Sequence, residues 1–218
     1  MPLILIAALL VSCSQNFTQT HKMYKKAPVQ GESIGFVELG SAFMLTRADW
    51  FAEKLNLQND SVYNQLETFS DSIIYSELSK TGAYSVVSGK ERNSFSRETL
   101  KMDKTIFIKT ALPEQGVEVS NNNGTVPDYL FILHEYTIGG DLDAENFYDY
   151  NKANLEMTQK KKFKNLSIIA TFTLWDNKRQ IPLRSGVVSS QTPVKEDFNI
   201  NVFSEATKRV VAECLKKL

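Results

Sequence analysis

The chain contains two histidines, and one of them lies in a segment that could hold it in a catalytic site. His134 falls within residues 129–138, which are apolar enough to predict a buried strand. A general base needs an imidazole within hydrogen-bonding distance of its partners. The same pattern also fits a neutral core histidine, which is the commoner case. Glu135 is predicted on the opposite face of the strand, so the two neighbours would not form a pair.

Acidic residues 141, 143 and 145 resemble the beginning of a calcium-binding loop. The sixth position of such a loop is normally glycine and the twelfth is glutamate, but this chain has Asn146 and Lys152 there. No Cys or His pair has zinc-ligand spacing, and no nucleophile-elbow, phosphate-loop or dinucleotide glycine motif occurs. We therefore expect no metal, no cofactor and no catalytic residue, and we predict that the protein is not an enzyme.

Cys13 follows an unbroken apolar run, residues 3–11, and is directly preceded by Leu10, Val11 and Ser12. The run suits a signal-peptide core and is shorter than the roughly 20 residues that span a bilayer. The arrangement resembles the bacterial lipobox. This resemblance implies that residues 1–12 are a removed signal peptide and that Cys13 carries the lipid, including a palmitate-type acyl chain. Met1 and Pro2 depart from the pattern, since neither is basic.

The alternative to a lipobox is a buried strand that ends in an ordinary cysteine. The residues after Cys13 are polar, so such a strand would have no continuation. Two or more acyl chains hold a protein stably on a membrane. Residues 13–31 then form a flexible, lipid-anchored tether. In lipoproteins of enteric type, Ser14 in place of aspartate favours the outer membrane. The predicted location is the cell envelope, on the outer membrane and facing the periplasm.

Charge and cysteine content exclude some classes of protein. Basic and acidic residues balance at 25 each, and no basic stripe is present, so we expect no nucleic-acid partner. Hydrophobic residues make up 42% of the chain, as in an ordinary folded domain. If Cys13 is lipidated, Cys214 has no partner for an intramolecular disulfide. It is predicted to be a small apolar residue in the core.

Hydrophobic periodicity predicts a single α+β domain over residues 32–218, in which helices pack mainly on one face of a mixed β-sheet. A C-terminal β-hairpin is followed by a closing helix with Ser204 as its cap. Residues 94–104 are ambiguous and compatible with a helical turn. The predicted strands are 33–39, 84–88, 105–110, 129–138, 166–175 and 181–190, and the other predicted helices are 47–57 and 60–82.

Strict alternation predicts which residues of the two best strands share a face. Tyr129, Phe131 and Leu133 would lie on one face of the first strand, with Leu130, Ile132, Tyr136 and Ile138 on the other. Because both faces are apolar, this strand is predicted to be central in the sheet. In the second strand, Ser167, Thr171 and Thr173 would form a wetter face.

The connection between these strands, residues 139–164, is unusually long, which is typical of a functional or irregular loop. Its first half interleaves acidic residues with Phe147, Tyr148 and Tyr150, and its second half is rich in lysine. Exposed aromatic residues among charges are typical of protein-contact surfaces. The alternative is a hairpin arm, extended by Leu155 and Met157, that carries solvated lysines.

The order of motifs resembles a family of envelope proteins. The family includes the curli-channel periplasmic domain, the amino-terminal domain of TolB and a penicillin-binding-protein activator lipoprotein. The resemblance rests on the opening strand SIGFVELG, on Asp128-Tyr129 at a strand start, on an aspartate-containing hairpin turn and on a terminal helix around Ala206. The chain departs from the family at Asn177-Lys178-Arg179, where a Thr-Gly turn is usual, and nothing in it matches the membrane-spanning hairpins of the curli channel.

These observations favour a non-enzymatic lipoprotein that binds another envelope protein as an assembly factor, scaffold or activator. Phe147, Tyr148 and Tyr150 are its predicted partner-binding residues, and Cys13 is its membrane anchor. One alternative is a periplasmic module that binds a small molecule, glycan or lipid in a pocket beside the sheet. Another is an enzyme that uses His134. The sequence specifies neither the partner nor the oligomeric state.

Overall fold

The computed structural model describes residues 17–20, 33–82, 84–101, 107–142, 163–194 and 198–216. Within these ranges, a seven-stranded mixed sheet is formed by β1 (Phe17–Thr20), β2 (Ile34–Val37), β3 (Phe43–Leu45), β4 (Tyr84–Val87), β7 (Tyr129–Leu142), β8 (Phe163–Asp176) and β9 (Ile181–Pro193). The strand order is β1-β9-β8-β7-β2-β4, and β3 also pairs with β7. The predicted central position of residues 129–138 is confirmed, since β7 lies between β8 and the β2–β3 pair.

In the part of the chain that the structure describes, three α-helices cover one face of this sheet: α1 (Ala48–Leu55), α2 (Val62–Leu78) and α3 (Ile200–Leu215). Their buried stripes join the sheet in one apolar cluster, to which Phe51, Leu66, Ile74, Phe203 and Val210 belong. Burial of such stripes is the main source of helix stability in proteins. The predicted α+β class, with helices on one face and a closing helix after the C-terminal hairpin, is confirmed.

The closing helix begins earlier than predicted. Its cap is Asn199, whose side-chain oxygen accepts from the amides of Asn201 and Val202 at 2.9 and 3.4 Å. Asparagine is as good a cap as serine, and here it satisfies two free amides of the first turn. Ser204 therefore lies within the helix, and its predicted role as the cap was wrong.

The opposite face of the sheet is half covered by a second, two-stranded sheet of β5 (Ser96–Lys101) and β6 (Phe107–Leu112). The helical turn considered for residues 94–104 is therefore wrong, because Ser96–Lys101 is a strand. A small apolar cluster, which includes Val87, Phe95, Leu112, Ile132 and Trp175, lies between the two sheets. The predicted wet face of β8 is consequently buried at Thr173, which is fully covered.

A β-bulge at His134 changes the facing of β7. Leu133 pairs with Phe172, but the next register pair is Glu135 with Thr171, so His134 is an extra residue. A bulge shifts the alternation of all later side chains by one position. Tyr136 and Ile138 thus join Phe131 in the cluster under the helices, and the predicted face assignment of these two residues was wrong.

Four residues of the predicted tether form a strand. Phe17–Thr20 pairs antiparallel with β9, in a register that places Phe17 opposite Val187 and Thr20 opposite Arg184. β1 is an edge strand of the main sheet. The structure here differs from the sequence prediction, because a short polar strand has little apolar periodicity to reveal it. Among the described residues, no helix combines the length and hydropathy needed to cross a bilayer.

Cys214 lies on the buried side of α3, with 1% of its surface exposed. Burial raises the pKa of its thiol, which keeps the nucleophilic thiolate scarce at neutral pH. In the Cys13→Ala protein, we expect thiol reagents to label Cys214 only after denaturation. Cys214→Ser should destabilise the fold by about 1–3 kcal/mol, because it places a hydroxyl in an apolar site. Rapid labelling of the native protein would contradict this assignment.

Candidate functional site

Three of the segments that carry the sequence resemblance meet where β7 begins, namely the start of β2, Asp128 and the β8–β9 turn. Asp128 accepts hydrogen bonds from the amide and hydroxyl of Ser33 at 3.0 and 2.9 Å and from the Lys178 ammonium at 2.5 Å. The hydrogen bond from Lys178 has the largest effect and those from Ser33 add to it. Together they lower the pKa of Asp128 to about 2. The carboxylate therefore stays charged and joins the starts of β2 and β7 to the β8–β9 turn.

The turn between β8 and β9 is built by two buried polar side chains. Asp176 accepts from the amides of Lys178 and Arg179 at 3.1 and 2.7 Å, and it also forms an ion pair with the Arg179 guanidinium. Gln180 has φ 56, in the left-handed region usually filled by glycine in such turns. The backbone amides of Lys178 and Arg179 are thus satisfied within the turn, which contains no glycine.

Asn177 ties this turn to a distant loop. Its side chain is fully buried, donates to the carbonyls of Val119 and Pro127 at 2.9 and 3.0 Å, and accepts from the Val119 amide at 3.1 Å. A buried amide that makes three hydrogen bonds is largely satisfied. Asp128, Asp176 and Asn177 therefore hold loops in place, and their polar groups are engaged within the protein.

A shallow depression of about 230 Å³ lies over the same turn, lined by Asp128, Tyr129, Asp176, Lys178 and Arg179. Small-molecule sites are typically mostly apolar and about 300–1,000 Å³ in volume. This depression is smaller and predominantly charged. Its carboxylates already bond to Ser33, Lys178 and Arg179. Because these carboxylates are engaged within the protein, the depression does not favour the small-molecule alternative.

His134 lies on the face covered by the β5–β6 hairpin and uses both ring nitrogens. Its Nδ1 accepts from the Ala111 amide at 3.1 Å, and its Nε2 is 2.8 Å from the Thr173 hydroxyl. Because Nδ1 is an acceptor, the hydrogen belongs on Nε2, which donates to Thr173. Thr173 is in turn 2.8 Å from the Ser185 hydroxyl. The imidazole thus joins β6, β7, β8 and β9 in one network.

The environment of His134 favours the neutral ring. Burial, and then the nearby Arg92 charge, lower the pKa of His134 to about 3. A general base at neutral pH is most effective with a pKa near 7 and needs an available lone pair.

The prediction that Glu135 faces away from His134 relied on strict alternation, which the bulge breaks. The Glu135 carboxylate is exposed and accepts from the Thr137 hydroxyl at 3.0 Å.

Arg92 is a buried charged residue that the sequence did not predict. Its guanidinium is buried and donates to the carbonyls of Val37, Glu38 and Leu133 at 2.9, 2.7 and 2.7 Å. These carbonyls lie where β2 stops pairing with β7, before β3 resumes at Phe43 opposite Tyr136. Unpaired buried carbonyls are costly, and the guanidinium satisfies all three. Arg92 therefore acts as a structural cation that completes the interrupted sheet.

Carboxylates of α2 hold the other side of this interruption. A 3-10 turn, Gly40–Ala42, separates β2 from β3. Asp71 accepts from the Leu39 amide at 3.1 Å, and the Glu67 carboxylate faces the Gly40 amide. Burial, together with the neighbouring charges of Glu38 and Glu67, raises the pKa of Asp71 to about 7. Asp71 is therefore a titratable group near physiological pH.

The sequence-predicted anchor and contact residues, Cys13, Phe147, Tyr148 and Tyr150, lie outside the described residues. The structure does define where the contact segment joins the sheet. β7 continues to Leu142 and pairs there with Phe163 of β8. Residues 139–142 and 163–164 thus belong to strands, and the connection between adjacent antiparallel strands is residues 143–162.

No metal site is evident in the described ranges, where no cluster of three or more His, Cys, Asp or Glu side chains has ligand geometry. The segment considered for calcium falls almost wholly outside those ranges, since Asp143, Glu145 and Asn146 are not described. The structure therefore does not address that alternative.

Part of the sheet face opposite the helices is open to solvent. Beyond the β5–β6 hairpin, Met44, Thr137, Ile169 and Ser189 form one cross-strand row over four strands. Met44 is 44% exposed and Ile169 is 40% exposed. The sequence predicted no such surface, because it depends on where the small hairpin stops.

Comparison with known proteins gives little guidance. No family model matches the chain, and no curated protein sequence does. Among solved structures, the chain is similar to the PelC dodecamer from Paraburkholderia phytofirmans, with 9% identity, a TM-score of 0.46 and coverage of 94% of this chain and 96% of that chain. A point variant of the same dodecamer gives 9% identity, a TM-score of 0.43 and coverage of 94% and 95%. Similarity at this level carries no information about activity.

Proposed function

We propose that this protein is a non-enzymatic lipoprotein, held by lipid on Cys13 at the outer membrane and facing the periplasm, that binds another envelope protein. It would act there as an assembly factor, scaffold or activator. The proposal includes the membership of the envelope-protein family suggested by its motifs. Phe147, Tyr148 and Tyr150 supply the proposed contact with the partner.

The observation that carries the proposal is the engagement of the polar groups in the body. The His134 ring bonds to Ala111 and Thr173, and Arg92 donates to three backbone carbonyls. Asp128 and Asn177 hold loops and turns. Side chains that are fixed in this way support a rigid carrier, on which binding is assigned to segments that leave the sheet.

The position of the contact segment supports the same division. Residues 143–162 connect two long antiparallel strands whose last pair is Leu142 with Phe163. All the β7–β8 register pairs between described residues, up to Leu142 with Phe163, lie outside this connection. Substitutions within the connection therefore remove none of these pairs. A segment rich in aromatic residues can then contribute contact energy with little effect on folding.

Capture of the partner tests the proposal. Replacing Phe147, Tyr148 and Tyr150 together by alanine should reduce capture of a cross-linked envelope partner at least tenfold, because aromatic anchors carry most of the energy of such contacts. The melting temperature should stay nearly constant, since surface substitutions usually change stability by less than about 0.5 kcal/mol each. The measurement is quantitative mass spectrometry of material captured from cross-linked envelopes.

The matched control replaces Leu155 and Met157, in the same segment, by alanine. This variant should retain the partner if the three aromatic residues form the contact. Equal loss of the partner in both variants would assign binding to the segment as a whole. Unfolding of the aromatic variant would show that these residues belong to the core, and the contact surface would then be wrong.

A further inference from the structure

The pairing of β1 with β9 determines how closely the proposed lipid anchor is held to the body. Three residues separate Cys13 from Phe17, the first residue of β1. An extended chain spans at most about 3.6 Å per residue, so the two Cα atoms are at most about 14 Å apart. A free tether of seventeen or so residues would average about 20–25 Å and could stretch to twice that or more.

The direction of β1 determines which part of the body lies next to the anchor. Because the two strands are antiparallel, the amino-terminal end of β1 at Phe17 points towards residues 188–193 of β9. At that end of the sheet, Pro193 pairs with Asn165, and Leu142 pairs with Phe163. The β8–β9 turn lies at the other end, about 40 Å away at 3.3 Å per strand residue.

Residues 187–193 of this edge, VVSSQTP, carry no charged side chain. Anionic headgroups would therefore meet no like charge along this stretch of strand. Val187 and Gln191 are partly exposed, and Pro193 is exposed.

We infer that residues 188–193 of β9, with the end of the sheet to which they belong, face the lipid bilayer. β1 then holds the domain at the membrane surface in one orientation, whereas a long flexible tether would leave its orientation free. The inference rests on the proposed lipidation of Cys13. It assigns the surface from the β1–β9 register and from the number of residues between Cys13 and Phe17.

Fluorescence quenching by lipid tests this orientation in the full-length lipidated protein. Variants Gln191→Cys and Asn123→Cys would be labelled at the introduced cysteine, because Cys214 is buried and the proposal places lipid on Cys13. They would then be reconstituted in phosphatidylethanolamine–phosphatidylglycerol vesicles that contain an energy-transfer acceptor lipid. Asn123 is exposed beside β4, since the neighbouring Asn122 amide bonds to Val86. From strand rise and spacing, it lies about 30 Å from Gln191. Quenching at Gln191 should exceed that at Asn123 at least twofold.

A linker insertion is the matched control. Twenty Gly and Ser residues placed between Asn16 and Phe17 keep β1 intact but add an average reach of about 25 Å. Quenching at Gln191 should then fall towards the Asn123 value. Equal quenching at both sites in the uninserted protein would overturn the inference, and so would undiminished preference for Gln191 after insertion.

Failure of the anchor itself would look different. If Cys13 carries lipid, intact mass will show acyl chains on Cys13, and Cys13→Ala will move the protein from the detergent phase to the aqueous phase. A protein with no acyl mass, which partitions like Cys13→Ala, would refute the proposed anchor and with it this inference. A lipidated protein with equal quenching at both sites would refute the orientation and leave the anchor standing.

Discussion

Replacing Arg92 by methionine should lower the free energy of unfolding by about 3–5 kcal/mol. Methionine fills much of the space of the arginine stem but leaves the carbonyls of Val37, Glu38 and Leu133 without their donor. Hydrogen bonds to charged groups contribute about 1.5–3 kcal/mol each, and an unsatisfied buried acceptor is costly. Release of the guanidinium from a buried site offsets part of this loss. Urea denaturation followed by circular dichroism provides the measurement.

Arg97→Met is the control for this prediction, because Arg97 lies on β5 with an exposed side chain. It should change stability by less than about 0.5 kcal/mol. Arg92→Lys should recover little, since an ammonium lacks the planar fork that reaches several carbonyls at once. A loss below about 1 kcal/mol for Arg92→Met would show that water or the backbone satisfies these carbonyls instead.

Asp71→Asn should stabilise the protein at pH 8 by about 2 kcal/mol and have little effect at pH 4. The pKa of Asp71 is about 7 in the folded protein, against 3.8 for the free side chain. Between these pH values, the folded state holds a proton that the unfolded state has released. The contribution of Asp71 to stability is therefore fully present below about pH 4, falls as pH rises to about 7 and is constant above that.

The magnitude follows from the same difference. A pKa gap of about three corresponds to at most about 4 kcal/mol, and water reaching this partly buried carboxyl reduces it. The asparagine oxygen can still accept from the Leu39 amide, so the 3-10 turn keeps its bond. Urea denaturation midpoints from pH 4 to pH 8 measure the slope of the unfolding free energy against pH. Glu53→Gln, at an exposed site on α1, should leave the slope unchanged. A slope that persists in Asp71→Asn would assign it to another group.

The main sheet could be predicted because its central strands are apolar on both faces or alternate cleanly. β7 and the β8–β9 hairpin follow directly from such patterns. Failures occurred where pairing, not periodicity, creates the strand. Ser96–Lys101 has the sequence SRETLK, and Phe17–Thr20 has FTQT, so neither shows an apolar repeat. Each becomes a strand because a partner strand satisfies its backbone.

The bulge and the buried arginine could not be predicted for a related reason. Tyr136 and Ile138 are apolar whichever face they take, so the sequence does not report the register shift at His134. Arg92 lies in the polar stretch GKERNS, which is typical of an exposed loop. Its burial depends on three carbonyls exposed by an interruption between two other strands. Such a need arises from tertiary structure and leaves no local signal.

β1 and its partner strand β9 lie far apart in the chain, and this has a consequence for the order of folding during the proposed export. Phe17–Thr20 pairs with Val187 to Arg184, so β1 stays unpaired until β9 is available. Contacts between distant residues form late, because the intervening chain must first be ordered. If the protein is exported and lipidated on Cys13 as proposed, β1 is therefore still unpaired when the modifying enzymes act on the thiol. Docking of β1 onto β9 would then bring the finished domain close to the lipid.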